Sequence, residues 1–312
     1  MYDTINFRLT AADVSGVSFI EEIPCHLTDL ATHDFSGELV VTGTLHGLKV
    51  SVNRWQVKVK DGSLCKYYHG SNLHTMSRAN TQRAIERLSD ELHLPMSQAS
   101  VTRLDVGGNL TTLHPTEIYF NHLGTLAWSK RLLQPSGLYY CKRDEVLCFY
   151  NKSKELRAHN ELIPDAYKGK NILRYEQRYM GHLSRVLKVP PVKGETLYNE
   201  AFFNLIINRW LSTYKAIKKI NNTSINLDYM KNVRDLNRLG RLALIERAGG
   251  ELALIEQVNE MRAKGELTSK QASDLKQAIR RAVSPKDGLV TPNEAIQELD
   301  QLINECVSGQ LA

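Results

Sequence analysis

The sequence predicts an α+β protein: an antiparallel-rich sheet flanked by helices comes first, and a helical region follows. Alternating apolar and polar residues, typical of half-buried strands, recur between residues 2 and 179. One amphipathic helix interrupts them, with Ala84, Ile85, Leu88 and Leu92 at helical spacing. From Thr196 onward the apolar residues repeat with the helical period almost throughout. Strands first and helices afterwards are typical of the α+β class.

The strands are predicted from β-branched residues, alternation and turn residues. Gly43, Gly47 and Asn53 divide residues 37–60 into several strands, and Arg143–Asp144 forms the turn of a hairpin. The predicted strands are 2–9, those within 37–60, 65–68, 100–110, the hairpin 137–150, and 172–179.

The helices are predicted from their spacing and their end signals. Thr75 or Ser77 caps the first helix and Pro95 closes it, while Pro115 precedes a second. The segment Thr291-Pro-Asn-Glu294 fits a capping box with its proline in the first helical position. The further predicted helices are one from about Ser153, and 197–219, 228–246, 250–264, 269–283 and 292–306.

The predicted domain boundary lies at Val189-Pro-Pro-Val-Lys-Gly194, where prolines and a glycine interrupt both patterns. We therefore expect an α+β domain at residues 1–189 and a smaller helical domain at residues 195–312. The alternating charges of the helical domain are typical of solvated helix faces.

The net charge of +6 is unevenly distributed. Residues 1–100 hold 9 basic and 11 acidic side chains, whereas residues 130–178 hold 11 basic and 6 acidic. A basic segment of this size fits either a solvated surface or a track for a polyanion, because phosphates are bound mostly by Lys and Arg.

Three absences indicate a cytoplasmic protein. No apolar run approaches the roughly 18 residues that cross a membrane. The first residues show no signal-peptide pattern. The 5 cysteines lack C-x-x-C spacing, which argues against a disulfide framework or a thiolate zinc site.

Two predicted strands each place an arginine and an acid on one face. Because side chains alternate along a strand, Arg103 shares a face with Asp105, and Arg174 shares one with Glu176. Acids are uncommon in mid-strand. One explanation is cross-strand ion pairing, which stabilises by roughly 0.2–1 kcal/mol per pair. The other is that both carboxylates face one cleft and hold Mg²⁺ or Mn²⁺ while the arginines contact phosphate oxygens.

Tyr150 ends the predicted hairpin just before a helical segment, so its hydroxyl is expected at the edge of the sheet rather than in the core. Lys152 and Lys154 follow it closely. Nearby cations or a divalent metal lower the pKa of a phenol and favour the nucleophilic phenolate. A partly buried tyrosine with a solvated hydroxyl is the alternative. Glu155 is a candidate metal ligand or general base, although a surface glutamate is the simpler interpretation.

Four segments in order resemble the rolling-circle replication initiators of the filamentous-phage gene II/X protein family. They are MYDTINFRL at the start, Arg103-Leu-Asp105, Tyr150-Asn-Lys152-Ser-Lys-Glu155-Leu156 and Arg174-Tyr-Glu176-Gln-Arg178. The resemblance covers residue 1 to about residue 188, and Gly70-Ser-Asn72-Leu before the first helix is similar as well. The His-hydrophobe-His pair of many nicking initiators has no counterpart in this sequence, which leaves a third metal ligand open.

The resemblance implies a metal-dependent DNA-nicking enzyme with a nicking-initiator-like fold. The tyrosine would cleave single-stranded or supercoiled origin DNA through a covalent 5′-phosphotyrosine and later rejoin the strand. Mg²⁺ or Mn²⁺ and nearby cations would stabilise charge on the phosphate. The candidate catalytic residues are Tyr150, Lys152, Arg103 and Arg174, and the candidate metal ligands are Asp105, Glu176 and Glu155.

The expected partner is origin DNA in the cytoplasm of a bacterial host, with no membrane partner. The helical domain at residues 195–312 is a candidate for binding duplex DNA or a host helicase, and the oligomeric state is left open. Three alternatives remain: a relaxase for mobile-element transfer, a metal-dependent nuclease that uses water directly, and a non-catalytic DNA-binding regulator. In the last, Asp105 and Glu176 only pair with arginines.

Overall fold

The computed structural model describes residues 1–220, 223–225, 230–284 and 290–311, with the backbone alone at 223–225 and 290–292. Ten strands form one sheet with antiparallel pairing throughout. These strands are β1 Tyr2–Thr10, β2 Thr28–Phe35, β3 Glu38–Leu45, β4 Leu48–Val52, β5 Gln56–Lys60, β6 Ser100–Thr112, β7 Lys130–Gln134, β8 Gly137–Cys141, β9 Glu145–Asn151 and β10 Asn171–Met180. Their order is β2-β3-β4-β5-β1-β6-β10-β9-β8-β7, so β6, β10 and β9 are neighbouring interior strands.

Helices flank the sheet and make up most of the later part of the chain. The described helices are α1 Phe19–Glu22, α2 Leu64–His69, α3 Arg78–Leu92, α4 Thr116–His122, α5 Lys152–Ala158, α6 Leu183–Leu187, α7 Glu200–Ala216, α8 Val233–Arg247, α9 Glu251–Ala263, α10 Ser269–Ala282 and α11 Glu294–Leu311. Two short strands, β11 Thr223–Ile225 and β12 Val290–Pro292, pair with each other. Within the described ranges, no helix is both long and apolar enough to cross a membrane.

The predicted fold class is confirmed, and most predicted elements are present with small shifts at their ends. Ser77 is the cap of α3, and its hydroxyl accepts the amide of Asn80 at 3.1 Å. The helix predicted at 197–219 is α7, preceded by a 3-10 turn at Glu195–Tyr198. The helix predicted at 228–246 is α8, and its first two predicted residues lie outside the described ranges.

The strand predicted at residues 65–68 is wrong, because this segment is the helix α2. The Ser63 hydroxyl accepts the amide of Lys66 at 3.1 Å and caps the start of the helix. Gly70 ends the helix in the left-handed conformation, with φ of 77°. These two local end signals outweigh the strand preference of the tyrosines between them.

The capping box predicted at Thr291 is also wrong. The segment Val290–Pro292 is strand β12, so its proline does not open a helix. Helix α11 begins at Glu294, and the Asn293 side chain accepts the amide of Ala295 at 2.9 Å. Asparagine is as good a cap as threonine, so the helix starts at the later of the two signals.

One face of the sheet is covered by α7 and α11. Trp210 of α7 stacks on Tyr175 of β10 with ring centroids 4.3 Å apart, and Tyr175 stacks on Phe149 of β9 at 4.5 Å. Gly108 of β6 lies against the same helices, because a Cβ there would come within 2.8 Å of the Cys306 sulfur. These packed rings form an apolar layer, and alternation turns the polar residues of the same strands to the opposite face.

The hydrophobic core extends across the domain boundary predicted between residues 189 and 195. Helices α7 and α11 belong to the same core as the sheet, and α11 contacts β6 and α4. Helices α8, α9 and α10 instead bury small clusters of their own, around Leu242, Ile255 and Ile279. The packing therefore joins α7 and α11 to the sheet and makes α8–α10 a separate small helical unit.

Candidate active site

The register of three interior strands brings the sequence motifs to one face of the sheet. Between β6 and β10, Asp105 lies opposite Arg178. Between β10 and β9, Arg174 lies opposite Tyr150. Paired residues of antiparallel strands share a face, so the acids, arginines and tyrosine of the motifs point the same way. Residues distant in sequence thus form one polar surface.

Glu176 is the acid that contacts the tyrosine. The Tyr150 hydroxyl donates a 3.0 Å hydrogen bond to Oε2 of Glu176. Glu176 has small residues on both sides, Gly107 on β6 and Cys148 on β9. A Cβ at position 107 would lie 3.2 Å from a guanidinium nitrogen of Arg174 and 3.3 Å from Cγ of Glu176. Gly107 therefore leaves the space that these two side chains occupy.

Three arginines neutralise the two predicted metal-binding acids. Arg103 makes a bidentate pair with Asp105, with nitrogen–oxygen distances of 2.9 and 2.7 Å. Nε of Arg178 lies 2.9 Å from Oε1 of Glu176 and 4.0 Å from Oδ2 of Asp105, so this guanidinium lies between the two carboxylates. Nε of Arg174 lies 3.1 Å from Oε2 of Glu176. Each carboxylate oxygen of the two acids thus has an arginine partner.

The three arginines differ in their access to solvent. The Arg174 side chain is 3% exposed, whereas Arg103 and Arg178 are 27% and 31% exposed. Arg174 also donates to Asp3 and, at 3.0 Å, to Oδ1 of Asn109. Its donors are therefore used inside the protein, where they hold the acids in place, and Arg103 and Arg178 are the guanidinium groups that face the cavity.

Burial and charge move the pKa values of the two acids in opposite directions. Burial raises the pKa of Asp105 to about 6, although its arginine partner opposes the shift. Burial also disfavours ionisation of Glu176, but the charges of Arg174 and Arg178 outweigh it and lower the pKa of Glu176 to about 2. Glu176 is therefore the permanently ionised member of the pair.

The pKa of Tyr150 is raised well above its ordinary value of 10, mainly by burial. Lys152 is completely buried, and its Nζ lies 2.6 Å from Oε2 of Glu155. Lys154 extends to an exposed glutamate of α4 at 2.6 Å. The expectation that these lysines lower the pKa of Tyr150 is therefore wrong, because burial outweighs the nearby charges and both lysines are paired elsewhere.

The site opens into a cavity of about 450 Å³. This volume is in the range of small-molecule sites, so it has room for a nucleotide-sized group. Lys152 does not line the cavity, but its ion pair with Glu155 positions that carboxylate, which does line it. The candidate catalytic and metal-binding residues that line the cavity are Arg103, Asp105, Tyr150, Glu155 and Glu176, and Arg178 lines it as well.

Two of the carboxylates that line the cavity would hold a divalent cation. Asp105 and Glu176 offer the hard oxygen ligands that Mg²⁺ and Mn²⁺ prefer. The guanidinium of Arg178 already lies between them, so a divalent cation would compete with Arg178 for the two carboxylates. In the part of the chain that the structure describes, no three His, Cys, Asp or Glu side chains lie close enough together to hold a metal, so Glu155 does not complete a three-residue cluster. Water and a substrate phosphate would supply the remaining ligands.

Sequence reasoning did not identify Asp3, a buried member of this site. Asp3 pairs with Arg174, accepts a hydrogen bond from the Ser63 hydroxyl, and lines the cavity. The signal that identifies it is a carboxylate within an alternating strand, since Asp3 is the second residue of β1. The roles of Ser63 and Gly107 have no comparable local signal, because they depend on which strands are neighbours.

A tyrosine, several acids and several cations lie together at one cavity of an antiparallel sheet. This combination indicates a protein that processes nucleic acids. A family model that describes the N-terminal part of the phage replication-associated gene II protein matches residues 1–198. The chain belongs to this family, which confirms the resemblance to the phage gene II initiators. The membership supports a role as a rolling-circle replication initiator, and such a role implies DNA binding. A comparison with curated proteins finds no match.

Proposed function

We propose that this protein starts rolling-circle replication by nicking one strand of origin DNA with Tyr150 as the nucleophile. The observation that carries the proposal is the hydrogen bond from the Tyr150 hydroxyl to Glu176, at a cavity that Arg103 and Arg178 also line. A nucleophile, a proton acceptor and two phosphate-binding groups are the components that strand transfer through a tyrosine requires.

In the proposed reaction, one phosphorus–oxygen bond forms as another breaks. The phenol oxygen of Tyr150 attacks the scissile phosphorus, the bond from phosphorus to the 3′ oxygen breaks, and a 5′-phosphotyrosine forms. The phenolic proton passes to Glu176, which already accepts its hydrogen bond, and the departing 3′ oxygen takes up a proton. The reverse attack by a 3′-hydroxyl rejoins the strand without ATP, because the phosphotyrosine retains the energy of the broken bond.

The arginines determine when Glu176 accepts that proton. Its pKa of about 2 makes Glu176 a weak base while Arg174 and Arg178 both pair with it. Arg178 is the more exposed of the two, so a DNA phosphate can draw its guanidinium away. Asp105 and Glu176 would hold Mg²⁺ or Mn²⁺, and a bound metal would stabilise charge on the non-bridging phosphate oxygens. Arg103 and Arg178 would bind the same phosphate from the cavity side.

The test is covalent capture of DNA by the full-length protein. The protein is incubated with Mg²⁺ or Mn²⁺ and supercoiled DNA of the replicon that encodes it, and adducts are separated under denaturing conditions. We expect one adduct, attached through the 5′ phosphate to Tyr150. The variant Tyr150→Phe should form neither adduct nor nick, whereas the control Tyr139→Phe, on the neighbouring strand β8, should form both. Nicking by Tyr150→Phe with an adduct elsewhere would overturn the proposal.

One observation favours a second candidate function, a DNA-binding replication regulator without catalysis. All four carboxylate oxygens of Asp105 and Glu176 pair with arginines, as they would in a purely structural ion-paired sheet. In that case the wild-type protein would bind origin DNA and never nick it with any divalent metal. The variants Asp105→Asn and Glu176→Gln would then lower thermal stability alone, because there would be no cleavage to lose.

A further inference from the structure

The helical unit α8–α10 carries a second polar cavity, a groove of about 600 Å³ between α8 and the end of α10. Arg234, Arg238 and Arg241 of α8 line it, at spacings of four and three residues that place them on one face of the helix. Arg281 lines it from the last turn of α10. This groove shares no residue with the cavity of the candidate active site.

Arg238 holds the groove together. Its Nε donates to the carbonyl oxygen of Ala282 at 3.0 Å, and its guanidinium also donates to the carbonyl of Ser284. Carbonyls at the end of a helix lack partners within the helix, so an arginine that reaches them stabilises the end of α10. Arg238 thereby fixes α8 against α10 and sets the width of the groove.

The other three arginines that line the groove are exposed. Arg234, Arg241 and Arg281 make no ion pair within the described ranges. Asp235 is the acid on the groove lining, and its carboxylate accepts the backbone amide of Lys231 at 2.9 Å. Arginines scattered over a convex helix are usually just solvated, but these converge on a concave surface, where their fields add.

We propose that this arginine groove binds the phosphate backbone of DNA. The proposal rests on the proposed nicking function, and it adds a binding site that the catalytic chemistry does not contain. Arginine suits this ligand because its planar group binds phosphate oxygens bidentately. Arg234 and Arg241 are about 10 Å apart along α8, which corresponds to roughly three nucleotides of one strand.

The test compares two triple variants of the full-length protein that remove the same charge. The first is Arg234→Ala, Arg241→Ala and Arg281→Ala, and Arg238 is kept because it supports the fold. The matched control is Arg247→Ala, Arg262→Ala and Lys264→Ala, which are exposed residues of the same helical unit outside the groove. Affinity for a short random-sequence duplex and for the equivalent single strand is measured without divalent metal over a range of salt concentrations.

We expect the groove variant to bind at least one of the two probes about tenfold or more weakly at physiological salt. The slope of log affinity against log salt should decrease by about 2 to 3, because each lost phosphate contact removes roughly 0.9. The probe that shows the loss identifies duplex or single-stranded DNA as the ligand. The control should match the wild type. Unchanged affinity and slope for both probes would overturn the proposal.

Two further measurements keep the result interpretable. An Arg-to-Lys version of the groove variant retains the charge, and it should recover most of the salt slope. If the Ala variant is misfolded, this Lys version is compared with a Lys version of the control. Nicking of a short single-stranded substrate at saturating concentration should be unchanged in the groove variant. Absence of nicking in the wild type would contradict the proposed function, whereas the binding comparison alone decides the groove.

Discussion

Tyr150 and Glu176 lie on neighbouring strands, and the phenol of the first donates a 3.0 Å hydrogen bond to a carboxylate of the second whose pKa is about 2. The acceptor is therefore ionised at every physiological pH, while burial keeps the phenol protonated. In the proposed reaction, Tyr150 is thus oriented by Glu176 but still protonated. The proposed attack therefore requires a change in the charges around Glu176, and Arg178 is the more exposed of its two arginine partners.

The first prediction concerns Glu176→Gln and pH. The folded-state pKa of Glu176 is depressed from its ordinary 4.5 to about 2, so its ion pairs stabilise the protein above pH 4.5. That stability is lost as the pH falls through this window, and the shift corresponds to about 3 kcal/mol. Glu176→Gln should therefore lower the free energy of unfolding most at neutral pH. Urea unfolding at several pH values measures the difference, and a difference that does not shrink below pH 4.5 contradicts the prediction.

The second prediction concerns the buried pair of Arg174 and Asp3. Replacing Arg174 by Met leaves Asp3 and Glu176 buried without their main counter-charge, which should destabilise the fold by about 3–5 kcal/mol. Arg185→Met breaks the exposed pair with Asp144 and should cost less than about 1 kcal/mol. Chemical denaturation of both variants provides the comparison, and similar losses would show that burial is not the cause.

The third prediction uses two glycines. Gly107→Ala places a Cβ within 3.3 Å of Glu176 and closer to Arg174, so it should destabilise the protein by about 1–3 kcal/mol and reduce nicking. Gly240→Ala adds a Cβ in open space on helix α8 and should stabilise by up to about 1 kcal/mol. Thermal unfolding should separate the two variants in opposite directions. Equal effects would mean that the space beside Glu176 is not tightly filled.

The fourth prediction concerns Arg178 as the resident cation between the two carboxylates. Because its guanidinium lies between the two carboxylates that would hold a divalent ion, Arg178→Ala should raise the affinity for Mn²⁺ several-fold. Titration of free Mn²⁺ by electron paramagnetic resonance, without DNA, measures this directly. Arg54→Ala, which removes an exposed arginine stacked on Trp55, is the control and should leave the affinity unchanged. Equal or weaker Mn²⁺ binding by Arg178→Ala would rule out competition for this position.

Local patterns were sufficient for much of the fold and for the face of each motif strand. Alternation correctly placed Arg103 with Asp105, because the two-residue period of a strand is set by the backbone itself. Alternation did not predict β2 Thr28–Phe35, because every residue of this strand is exposed and its burial therefore does not alternate. It also failed for residues 65–68, where end signals decided in favour of a helix.

The sequence alone thus determined which residues carry reactive groups and to which side of a strand they turn, since both depend on neighbours in the chain. Only the tertiary structure decided which strands are adjacent. That choice brought Tyr150 to Glu176, added Asp3 to the site and buried Lys152. Strand order follows from burial of the whole apolar face of the sheet against helices that include α7 and α11. The free energy of this burial depends on all of these segments together and belongs to no single one.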